Sequence, residues 1–282
     1  MMQASAHLEW TREPAAPGFW GRIAETWRAR ALILFFARLT LYKTIQRTVL
    51  GWLWLPLRGL VPTLVGSLVL GGFLGVKGEG APYPLFLLSG LIPWVTFAST
   101  AMWTVRCLEL TRRYTRVAAF PRLVLPLGFS APAFIDVAMF MATYLCVSLW
   151  YGLSEGVSVA LPGPQTVFYL LLAWLAGLGV GLLLCIPGAQ VRDIRFSLNY
   201  ALSFALALTP VTYPASMVPE KWAFLTTMNP LAVIVEGFRA ATLGQATPSF
   251  NSGMVAAVVT LSFVGVGLYV FNRFEKYLTE KV

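Results

Sequence analysis

From Tyr83 to Val105 the chain reads Tyr-Pro-Leu-Phe-Leu-Leu-Ser-Gly-Leu-Ile-Pro-Trp-Val-Thr-Phe-Ala-Ser-Thr-Ala-Met-Trp-Thr-Val, without one charged side chain. At 1.5 Å per residue, a helix of this length crosses the roughly 30 Å of hydrocarbon in a bilayer. The rest of the 282 residues agree: 57% are apolar, 14% aromatic and only 12% charged, about half the charge of an ordinary soluble domain. Mean hydropathy is +0.71. The reading is an all-α polytopic membrane protein.

Outward from that run, five further uncharged stretches approach the roughly 20 residues a span requires. They are 49–76, broken by Arg58; 123–151, with Asp136 near its middle; 166–187; 196–213; and 254–271. With 83–109 they make six spans. Of the 21 Lys and Arg, 16 fall before residue 49, in the 110–122 and 188–195 loops and in the tail; only Lys77, Lys221 and Arg239 lie on the other side. Basic residues are retained on the cytoplasmic face, so both termini are expected there. The net charge of +9 therefore reads as a topology signal and an affinity for membrane lipids rather than for nucleic acid.

Two segments are expected not to cross. Over 19–38, after a polar leader at 1–18, Trp20, Ile23, Trp27, Ala31 and Leu34 share one helical stripe, which predicts an amphipathic helix in the cytoplasmic interface. Before the last span, short helices are expected near 219–228 and 230–243, carrying Glu220 and Lys221, and Glu236 and Arg239. Asn229 suits an N-cap, Pro230 the first helical position and Gly244 the C-cap. A helix of that length covers about 21 Å. It is read as re-entrant in the outer leaflet, with Leu231, Ile234, Val235 and Phe238 as its apolar stripe.

Catalysis finds little footing. His7 is the only histidine, and Cys107, Cys146 and Cys185 show no paired spacing, which excludes multi-His metal sites and argues against thiolate sites and disulfide frameworks. No G-x-x-x-x-G-K-[ST] loop occurs, so the chain is expected to bind no ATP and no cofactor. The leader shows no signal-peptide core. Asp136 costs on the order of 3 kcal/mol at a helix centre, but apolar neighbours each contributing about half a kcal/mol still allow insertion. It reads either as part of a polar path or as the partner of a basic residue such as Arg58, which can otherwise snorkel to the cytoplasmic interface.

Several segments in order resemble one family: Arg47-Thr-Val-Leu-Gly-Trp-Leu-Trp54, Pro82 to Trp94, Phe120-Pro-Arg-Leu-Val-Leu-Pro126, Val191-Arg-Asp-Ile-Arg195, Val218-Pro-Glu-Lys-Trp222, Met228-Asn-Pro-Leu231 and Glu236-Gly-Phe-Arg239. They resemble the membrane permeases of type-2 ABC transporters, in the branch that exports O-antigen, capsule or teichoic acid. The resemblance implies a homodimer in the bacterial inner membrane, two copies of a separate ATPase that holds ATP and Mg, and a lipid-linked glycan passing between protomers. Arg58 stands where that family usually has Gln or another polar or small residue, and the leader has no counterpart.

On this reading, Arg112, Arg113, Arg116, Phe120, Pro121 and Arg122 dock on the ATPase, with Arg192, Asp193 and Arg195 as a second contact. A sugar path needs aromatic faces and scattered hydroxyls, as offered by Trp94, Phe97, Ser99, Thr100 and Trp103 and by Thr209, Thr212 and Tyr213. The alternatives are a permease of the same superfamily for a small lipid or drug, and a membrane-bound glycan-modifying enzyme.

Overall fold

The structure, a computed structural model, describes residues 19–46, 54–111, 120–156, 163–245 and 248–274. It is helical, and no strand occurs among the described residues. The helices used below are α1 Phe19–Arg28, α2 Arg30–Gln46, α3 Trp54–Gly66, α4 Tyr83–Leu110, α5 Val124–Phe129, α6 Pro132–Glu155, α7 Pro164–Gln190, α8 Arg192–Leu208, α9 Pro230–Leu243 and α10 Phe250–Phe274.

Among the described residues, five stretches are long and apolar enough to cross a membrane. They are Pro56–Phe73, where α3 runs into a π-helical segment, then α4, the α5–α6 unit Val124–Glu155, α7 and α10. The run expected at 196–213 folds as α8, which starts earlier at Arg192 and ends at Leu208 after 17 residues. It stops because Pro210 has no N–H to continue the ladder, and Thr209 is already extended.

α4 is the axis of the bundle. Of its most apolar window, 78% is buried, against 11% for Pro56–Phe73. It packs most extensively on α7, then on α6. Hydrocarbon solvates apolar side chains as well as protein does, so helices in a bilayer associate through close van der Waals contact at small residues. Ala173, Gly177 and Gly181 form such a face on α7, and a Cβ at Gly177 would collide with the Phe97 carbonyl oxygen. On another side of α7, a Cβ at Gly267 of α10 would lie 2.9 Å from the Gly179 carbonyl oxygen.

The expected interface helix differs in two respects. It breaks at Ala29 into α1 and α2 and continues to Gln46, and only α1 is strongly amphipathic. Of its expected stripe, Ala31 is exposed, as are Trp27 and Leu34, whereas Thr26, Phe36 and Thr40 are buried. The segment expected as one helix over 219–228 is instead a series of single turns, Ala215–Met217, Glu220–Trp222 and Phe224–Thr227. Pro214 and Pro219 interrupt the backbone ladder, and a helix of that length hardly persists without an apolar face to bury. The companion helix α9 forms as expected: Asn229 Oδ1 accepts from Leu231 N at 3.0 Å, and Gly244 closes it with φ of 68°.

Candidate functional site

Three polar assemblies are set into this apolar bundle. The first joins α3, α4 and α6. Arg58 Nη1 lies 2.6 Å from Asp136 Oδ1, and Ser99 Oγ donates to Asp136 Oδ2 at 2.6 Å. Arg58 thus pairs with Asp136 instead of reaching for an interface. Both carboxylate oxygens are engaged, as a charge at this depth requires. Ser99, expected on the sugar path, is a partner of this pair.

The second assembly fixes α9 to the end of the bundle remote from Arg106, Arg192 and Arg195. Arg239 is only 2% exposed and its guanidinium lies 3.8 Å from the centroid of the Phe86 ring on α4, a cation–π arrangement strengthened by desolvation. Nη2 donates to the carbonyls of Pro210 at 3.1 Å and Val211 at 2.9 Å. Those carbonyls are exposed by the break after α8, so one side chain satisfies backbone groups that the unwound segment orphans. Nη1 faces Glu236 Oε1 at 3.6 Å. Arg239 is among the largest fully buried side chains. Burial lowers the guanidinium to about 10 against the pull of Glu236, Glu79 and Tyr83, so it stays charged near neutrality. Burial likewise pushes the Glu236 carboxyl up, opposed by Arg239.

Further bonds complete this cap. Tyr83 donates to the Thr212 carbonyl at 2.7 Å, Tyr144 to the Thr242 carbonyl at 2.9 Å and Asn229 Nδ2 to Thr209 Oγ1 at 3.0 Å. Glu220 and Lys221 are exposed on the single-turn segment, and Lys221 Nζ stands 5.4 Å from the centroid of the Trp222 ring.

The third assembly lies at the opposite, basic end. A cleft of about 260 Å³ is lined by Arg106, Glu109, Leu110, Arg192, Arg195 and Phe196. Arg195 bridges the α7–α8 turn to α4: Nη2 meets Glu109 Oε1 at 3.0 Å and Nη1 donates to the Gly188 carbonyl. Arg192 lies 5.2 Å from the centroid of the Phe196 ring. Asp193 stands in the first turn of α8, where the helix dipole favours a carboxylate. Phe120 sits 5.7 Å from Phe36, joining α2 to the start of α5, and the Pro121 and Arg122 carbonyls accept from Val124 N and Leu125 N. Arg112, Arg113 and Arg116 lie outside the described residues.

The expected sugar-path residues are divided. Trp94, Phe97, Thr100 and Thr209 are buried in the core, with Trp94 and Phe97 centroids 5.6 Å apart, while Trp103 is half-buried. Thr212 and Tyr213 are half-buried where α8 ends, and Tyr213 donates to the Ala207 carbonyl at 2.9 Å. Sequence reading missed the exposed stripe Phe196, Tyr200, Phe204 and Leu208 on α8, although its four-residue spacing is visible. It also passed over Arg106 and Glu109, whose signal is the return of charge three residues apart at the end of α4.

No family model matches the chain. Curated relatives do. An O-antigen export system permease protein of Klebsiella pneumoniae is 23% identical over 243 residues, 83% of this chain and 88% of the relative. One of the same name from Myxococcus xanthus is 22% identical over 92% of this chain and 98% of its own length. A polysialic acid transport protein of Escherichia coli is 25% identical over 82% and 88%. The resemblance to polysaccharide-export permeases of the type-2 ABC class thus extends over most of the chain, and these relatives are named as transport subunits.

Proposed function

We propose that this chain is the membrane permease subunit of an ATP-driven exporter, moving a lipid-linked polysaccharide across the bacterial inner membrane. The observation that carries the reading is its end-to-end likeness to export permeases, 92% of this chain against 98% of the Myxococcus relative. In this proposal two permease chains form a homodimer, and two copies of a separate ATPase bind ATP and Mg. Six helices cross: the five long ones and α8. Both termini lie in the cytoplasm, and α9 with the single turns before it is re-entrant in the outer leaflet.

The basic end then faces the ATPase. The loop with Arg112, Arg113 and Arg116, followed by Phe120, Pro121 and Arg122, is the first contact, and Arg192, Asp193 and Arg195 the second. Because Phe120 packs on Phe36 and Arg195 on Glu109, displacement at either contact would be carried as a rigid-body push into α2 and α4. Sugars expose apolar C–H faces between hydroxyls, and the α8 aromatics Tyr200 and Phe204, with Thr212 and Tyr213 beyond, offer matching faces to a sliding chain. Trp94, Phe97, Ser99, Thr100, Trp103 and Thr209 support that route from behind.

The test is co-purification from native membranes together with deletion in the source organism. A separately encoded ATPase should accompany the chain, and deletion should abolish surface glycan while its precursor accumulates inside. Absence of any ATPase with unchanged surface glycan would refute the assignment.

A further inference from the structure

Beneath α1 lies an apolar groove of about 540 Å³ that the transport reading does not use. Its walls include Ile23 and Trp27 of α1, Leu127 following the start of α5, Leu178 and Leu182 of α7, and Leu268 of α10. Thr26 brings a hydroxyl to the wall, but its Oγ1 already donates to the Arg22 carbonyl at 2.8 Å. An open groove lined this way offers water almost no hydrogen-bond partners. In a multi-pass membrane protein the available filler is hydrocarbon.

Arginines stand close along the chain to the residues that line the groove. Arg22 Nη1 donates to the Asn272 carbonyl at 2.9 Å, tying α1 across to α10. Arg28 and Arg30 are exposed next to Trp27, and Arg273 is exposed just over a turn beyond Leu268. An apolar groove with exposed arginines one, three and five residues from Trp27 and Leu268 of its lining matches a lipid whose headgroup is anionic.

We infer that this groove holds one acyl chain of an anionic phospholipid, with its headgroup against Arg28, Arg30 and Arg273. The lipid fills the space between α1 and α7 and seats the interface helix on the bundle. It is a resident lipid, distinct from any transported one.

Native mass spectrometry of the full chain tests this, with added palmitoyl-oleoyl phosphatidylglycerol, the matching phosphatidylcholine, or a polyprenyl phosphate. The expectation is one retained phosphatidylglycerol, preferred over phosphatidylcholine by about fivefold for each arginine that meets the headgroup. Ala24→Trp, which fills the groove, should cut retention of both phospholipids about tenfold. Arg28→Gln with Arg30→Gln alters only exposed side chains, so the fold should persist. That pair should erase the phosphatidylglycerol preference, and it carries the test should the tryptophan variant fail to fold. Equal retention of the two phospholipids by the unaltered chain, preferred retention of the polyprenyl phosphate, or binding unmoved in both variants would overturn the inference.

Discussion

Asp136 and Arg58 sit 78 positions apart and meet at 2.6 Å, so each removes the other's largest cost inside the bilayer. Breaking such a pair from one side leaves an uncompensated buried charge, whereas replacing both partners by apolar residues is often neutral or better. Arg58→Leu, which leaves the buried Asp136 without its cation, should therefore lower stability by about 3–5 kcal/mol, while Arg58→Leu combined with Asp136→Leu should restore most of it. Thermal unfolding in detergent measures both, and a double variant no more stable than the single would rule out mutual compensation. Gly90 gives a second prediction. A Cβ there would meet the Val211 carbonyl and come 2.7 Å from Arg239 Nη2, so Gly90→Ala should cost about 1–3 kcal/mol by overpacking. Gly253→Ala, where the nearest atom outside the helix's own backbone would be the Tyr169 hydroxyl at 4.0 Å, should cause no loss of stability in the same assay. The sequence made the Arg58–Asp136 pairing legible because lone opposite charges in separate spans have few other partners. It hid Arg239, since a local stripe cannot reveal that Phe86 and two freed carbonyls wait on distant segments.

Helices whose ends are set by local chemistry were legible, and those set by tertiary contact were not. α9 follows from Asn229, Pro230 and Gly244 read in order, and α8 ends ahead of Pro210, whereas the guanidinium of Arg239 that donates to the freed carbonyls of Pro210 and Val211 comes from a distant segment. Asn229 serves both elements, because its Oδ1 caps Leu231 and its Nδ2 holds Thr209. Its two roles separate by substitution. Asn229→Asp keeps the cap and loses the amide donor; Asn229→Ala loses both, at about 1–2 kcal/mol for the cap alone. Hydrogen exchange should show the α9 amides opening sooner in Asn229→Ala than in Asn229→Asp. Equal protection in the two would mean that the cap contributes nothing. The interface helix shows the same limit: periodicity over 19–38 finds an apolar stripe, but Phe36 turns inward where Phe120 and Phe129 provide ring contacts.

The number of crossings decides how the whole protein sits in the membrane, and it turns on α8. The five long stretches are unambiguous by length and composition, and five crossings would leave the two termini on opposite sides. α8 has 17 residues, which reach about 25 Å, a few ångströms short of the hydrocarbon. Its first turn carries Arg192, Asp193 and Arg195, which belong at a headgroup boundary and shorten the apolar part further. Two features offset this. A short span is accommodated by local thinning at a fraction of a kcal/mol per Å, and the chain past Leu208 has its carbonyls bonded by Arg239, so irregular backbone can continue at membrane depth inside protein cover. The charge distribution adds a global constraint: Arg106 and Glu109 on α4 share a cleft with Arg192 and Arg195 on α8, so the α4 end and the α8 start lie on one face. From there α8 leads to Thr209, whose hydroxyl meets Asn229 before α9, and to Thr212, whose carbonyl meets Tyr83 at the opposite end of α4. A helix that starts beside one end of α4 and is followed by contacts at the other has traversed the bundle. Alkaline phosphatase or a fluorescent protein fused to the C-terminus should therefore report the cytoplasmic side, the same as an N-terminal fusion, and phosphatase fused after Lys221 should be active. An active phosphatase at the C-terminus with a cytoplasmic N-terminus would mean an odd number of crossings, with α8 lying along the interface.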